Sequence, residues 1–67
     1  MIRITIQNDD NRIGLDARTA EHGGEPYVRL RDDNGDPHFG GHGCTWQDVM
    51  IEIIHSGWEI VDIRSRP

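Results

Sequence analysis

The residues best equipped for chemistry crowd into one short stretch, HFGGHGC at positions 38–44. His38, His42 and Cys44 bring two imidazoles and the chain's single thiol together there. A metal centre built on them would need His22, His55 or Asp36 as a further ligand, because structural zinc takes four donors in a tetrahedron. Zinc signatures pair two close ligands with a second, distant pair, and this chain has no second pair. The expectation is therefore no metal and no cofactor. Gly40, Gly41 and Gly43 suggest a different chemistry, an anion held by amides at the start of a helix. No lysine follows them and the spacing is not that of a P-loop. A Cys44-His pair has no orienting third group at useful spacing, so no catalytic set is expected and the chain is not read as an enzyme. The plainest reading of the stretch is a glycine hinge leading from an edge strand to a helix.

Charge gives the second set of candidates. All seven basic residues are arginine: Arg3, Arg12, Arg18, Arg29, Arg31, Arg64 and Arg66. A GC-rich genome would produce that bias, and so would a surface that needs planar, bidentate guanidinium groups. The net charge of −5 argues against unaided binding to nucleic acid or to an anionic membrane.

Hydrophobic periodicity supplies the elements that position these groups. Ile2, Ile4 and Ile6 alternate with Arg3, Thr5 and Gln7, the pattern of a strand with one buried face. NDDN at 8–11 reads as a turn, and Ile13, Leu15 and Ala17 alternate in a second strand. Residues 19–26 are polar and glycine-rich, which predicts a loop. Val28 and Leu30 mark a third strand, Asn34-Gly35 a hairpin turn, and 37–39 a short edge strand. Thr45 with Asp48 predicts a capped helix, whose apolar stripe is Trp46, Val49, Met50, Ile53 and Ile54. Gly57 ends it, and 58–64 reads as a last strand with Val61 and Ile63 turned to the core. The predicted fold is α+β: an antiparallel sheet in β-β-β-β-α-β order, with one amphipathic helix packed on one face. Residues 1–67 should form a single domain of marginal stability, helped by a homodimer.

The run WQDVMIEIIHSGWEIVDI resembles the helix, Gly-Trp, strand ending of small bacterial and phage domains of unknown function. The resemblance covers residues 46–63. It implies the fold and carries no activity, because those domains have no assigned catalytic residues.

Folding the pattern places the charges. In a meander the first and third turns share an end, so Asp9, Asp10, Asp32, Asp33 and Asp36 should form an acidic tip. Arg3, Arg12, Arg18, Arg29, Arg31 and Arg64 should share the open face of the sheet with Tyr27, Trp58 and Ile60. The bland accounts are solvated turns and an ordinary polar sheet face. The functional expectation is a small protein-protein interaction module of phage or mobile-element origin, an inhibitor docking on a nucleic-acid-handling host complex by nucleic-acid mimicry. The alternatives are a nucleic-acid-binding module using the Arg and aromatic face, and a small metal-binding protein using the His/Cys stretch. The lone cysteine, the absence of a signal-peptide pattern and of any apolar run of about 20 residues predict a cytoplasmic protein without membrane contact.

Overall fold

The computed structural model describes residues 1–65; of Glu21 and His22 it describes the backbone alone. Five strands and one helix follow in the order β1 (Ile2–Asn8), β2 (Asn11–His22), β3 (Glu25–Arg31), β4 (Pro37–His42), α1 (Trp46–His55) and β5 (Glu59–Ser65). All neighbours are antiparallel and the sheet order is β4-β3-β2-β1-β5. The predicted α+β architecture is the observed one.

Alternation dictates which face is buried. Ile4, Ile6, Leu15, Ala17, Val28, Leu30 and Phe39 line the helix side of the sheet and meet Val49 and Ile53 of α1. The helix begins where Thr45 Oγ1 accepts from Asp48 N while the Asp48 carboxylate accepts from Thr45 N, a reciprocal capping box. It crosses from β4 to β5 and packs on β3 as well. Among the described residues no helix covers the other face of the sheet.

Three expectations change. Residues 19–26 are not a loop: β2 and β3 run through them to a two-residue turn at Gly23 and Gly24, which have φ of 62° and 84°. Glycine supplies both positive φ values at no steric cost, so the flanking polar residues can pair as strands. β4 also continues past Phe39 to His42, with Gly40 at φ 86° turning its amide to the Glu52 carboxylate of α1. The hinge is thus reduced to Gly43 and Cys44.

The third change concerns β5. Thr5 pairs with Asp62 but Ile6 pairs with Ile60, leaving Val61 as the extra residue of a bulge. A one-residue insertion reverses inside and outside for everything before it. Trp58 and Ile60, expected on the open face, therefore pack against the core instead. Val61, expected inside, is 41% exposed, and Ile63 remains on the helix side but is 56% exposed.

Candidate binding site on the open sheet face

The stretch 38–44 is committed to structure. His38 Nε2 lies 2.8 Å from Asp32 Oδ2, and the His42 ring packs on Tyr27 with centroids 4.9 Å apart. The histidines are four residues apart on one strand, about 13 Å along it. Cys44 packs against the core. Among the described residues no three His, Cys, Asp or Glu side chains are grouped to hold a metal ion, and the side chain of His22 lies outside the described residues. The amides of the glycine stretch and the cap are largely donated: Gly40 to Glu52, Gly43 to Pro26 O at 2.8 Å, Cys44 to Gly41 O at 3.2 Å and Thr45 to Asp48.

The acidic tip does not assemble as expected. The β1–β2 hairpin closes at the pair Asn8 and Asn11, whereas β3 ends at Arg31 opposite Asp16. Five residues of β2 separate the two closures, a stagger of about 17 Å. Asp9 and Asp10 are thereby set apart from Asp32, Asp33 and Asp36. β2 is long enough to serve β1 with one half and β3 with the other, which no composition argument reveals. Asp32 is also a turn-builder. Its Oδ1 accepts from Asn34 N at 2.9 Å and Asp36 N at 3.0 Å, and its bond to His38, reinforced by those amides, holds its carboxyl below the usual range.

On the open face the arginines divide into two groups. Over β1, β2 and β5 each is engaged. Arg3 makes a two-oxygen contact with Asp33 at 3.0 and 3.3 Å and reaches Asp16 at 3.1 Å; these carboxylates, Asp33 foremost, raise its already high pKa. Arg12 donates twice to Gln7 Oε1, and Arg64 Nε donates to Asp62 at 2.7 Å.

Over β2, β3 and β4 the situation differs. Arg18 and Arg29 are directly opposed in the β2–β3 ladder. Like charges directly across a sheet repel, and among the described residues neither guanidinium has an ion-paired carboxylate. Arg31 is opposite Asp16, but that carboxylate is bound to Arg3, and Arg31 Nη1 donates to Gly35 O at 3.0 Å.

Arg29 reaches over Tyr27, its guanidinium carbon 5.7 Å from the ring centre. A Cβ on Gly41 would meet its Nη2 at 3.0 Å, so β4 leaves room for that posture. Its Nε is buried without a hydrogen-bond partner. Arg18, Tyr27, Arg31 and His42 border one shallow groove.

No family model, curated protein or solved structure matches this chain. The site must therefore be read from its own chemistry. Of the residues expected on the open face, Arg18, Tyr27, Arg29 and Arg31 come together. Arg3, Arg12 and Arg64 form a separate row, Arg3 and Arg64 paired with carboxylates and Arg12 hydrogen-bonded to Gln7, and Trp58 and Ile60 are absent from the face. His42 joins the cluster unforeseen. Its signal was available: had Gly40 and Gly41 been allowed inside a strand, alternation from Phe39 would have set His42 on the Tyr27 side.

Proposed function

We propose that this chain is a protein-interaction module that docks an acidic segment of a partner on the Arg18, Tyr27, Arg29, Arg31 and His42 cluster. The observation that carries the reading is the opposition of Arg18 and Arg29 with no ion-paired carboxylate among the described residues. A free protein gains nothing from two arginines at one cross-strand position, whereas an acidic segment lying across β2 and β3 would draw on both. Tyrosine and arginine in contact are also the residue types that dominate binding energy at protein interfaces.

A polynucleotide suits the face less well. Single-strand binders combine a basic track with several aromatic platforms, and here Trp58 is turned to the core. Mimicry by a concentrated acidic tip loses its geometric basis in the stagger of the two turns.

Fluorescence anisotropy with two labelled probes of equal charge, a Glu-rich peptide and a single-stranded oligonucleotide, tests this reading. Salt-dependent binding of the peptide that Arg18→Ala with Arg29→Ala abolishes supports it. Preference for the oligonucleotide would move the function to nucleic acid, and no binding of either at low salt would refute an anion-binding face.

A further inference from the structure

The two edges of the sheet are built differently. β4 carries Pro37, which lacks an amide proton, and Gly40 directs its amide to Glu52, so that edge offers no regular ladder. β5 is the opposite edge, paired among the described residues to β1 alone. Beyond its bulge, residues 62–65 run in regular register and contain neither proline nor glycine.

Apolar surface lies exposed beside that edge. Ile63 is opposite the fully buried Ile4 and so faces the helix side, yet it is 56% exposed; Ile54 of α1 is 61% exposed. Glu52 reaches toward β4, and Met50 and Ile54 lie about 200° around the helix from it, at 100° per residue. They therefore look toward the half of the sheet that holds Ile63.

We infer that the β5 edge pairs with the β5 edge of a second copy of this chain, about a two-fold axis at Ile63. A two-fold interface must be self-complementary, with each residue meeting its counterpart's partner in return. Centred on Ile63, an antiparallel register sets Ile63 beside its own copy, Asp62 opposite Arg64 and Arg64 opposite Asp62. The charge order along the strand thus satisfies the symmetry twice. Asp62 and Arg64 now bond to each other within the chain at 2.7 Å, with side chains 42% and 76% exposed, so exchanging that contact for its intermolecular equivalent changes little else. The Ile63 pair is flanked by Ile54 from each helix. The assembly extends the five-stranded sheet of each copy into one continuous sheet with both open faces on the same side. It does not depend on what the Arg18 cluster binds.

Sedimentation velocity across a concentration series, from micromolar to submillimolar full-length chain, tests the pairing. The expected mass rises from one chain toward two, and Ile63→Lys keeps the monomer at every concentration with an unchanged far-ultraviolet spectrum. Asp62→Arg and Arg64→Asp are each expected to be monomeric alone, because each sets like charges opposite one another. Mixed in equal amounts they are expected to form a heterodimer, because every opposed pair is then of unlike sign. A wild-type monomer throughout, or a dimer that survives Asp62→Arg, overturns the proposal.

Discussion

The guanidinium of Arg3 lies across Gly14 on the neighbouring strand and closes on Asp33 in the β3–β4 turn. A Cβ at position 14 would collide with that guanidinium, so the bare strand at Gly14 is what allows β1 to hold the turn beyond β3. Removing Asp33 by Asp33→Ala should cost about 0.5–1 kcal/mol in the wild-type chain, as befits a partly exposed pair. In a Gly14→Ala background the same change should cost close to nothing. Urea denaturation of the four variants in a double-mutant cycle measures the difference.

Acid should weaken the same turn from another direction. The Asp32 carboxyl is held below the usual range by His38, with help from the Asp36 and Asn34 amides. A depressed folded value means that the stabilisation is fully present above the unfolded carboxyl pKa of about 4 and is lost as pH falls through the folded value. Chemical denaturation between about pH 5 and about pH 2 should therefore show a loss of stability that Asp32→Asn and His38→Ala both reduce. A carboxyl titration followed by NMR should find Asp32 among the last to protonate.

Two glycines of similar φ should respond very differently to alanine. Gly40 has φ 86° and a Cβ there would press into the backbone carbonyl of Val28, whereas Gly43 has φ 80° and open space around it. Gly43→Ala should cost about 1–2 kcal/mol, the strain of the left-handed region alone. Gly40→Ala should cost about 1–3 kcal/mol more, because β4 must part from the Val28 backbone of β3 to admit the methyl group. Thermal or urea unfolding of the pair separates the two contributions.

The Arg18 and Arg29 opposition makes a prediction about stability as well as binding. Arg18→Thr should raise stability by about 0.2–1 kcal/mol, since it removes a like-charge cross-strand pair and leaves a good strand residue. The gain should shrink at high salt, where the repulsion is screened. A residue that costs the free protein stability is the expected signature of a binding position.

What the sequence made legible was what period and capping encode. The alternation of Ile4 and Ile6, of Leu15 and Ala17, and of Val28 and Leu30 specified the buried face, and Thr45 with Asp48 marked the helix start. What it hid was register. The Val61 bulge inserts one residue and thereby exchanges the faces of Trp58 and Ile60, although nothing in WEIVDI signals it. The stagger of the two acidic turns depends on how far β2 runs past β1, and Gly23-Gly24 allowed it to run further than a polar segment suggested. Ile54 and Ile63 carry the right periods for burial but lie where the single helix leaves the sheet uncovered. The site followed the same rule: Tyr27 with Arg29 and Arg31 came from simple alternation, while the facing of Arg18 and Arg29 required the register.

The Arg18, Tyr27 and Arg29 cluster is proposed to receive a carboxylate-rich partner. The most direct measurement of this is the anisotropy titration of a labelled Glu-rich peptide against the wild-type chain, Arg18→Ala with Arg29→Ala, and Arg12→Ala as the control outside the cluster. Binding should weaken with salt, fall roughly tenfold or more in the double variant, in keeping with charge-assisted hydrogen bonds, and change little in the control. Equal loss in Arg12→Ala, or no binding by the wild-type chain at low salt, would contradict it.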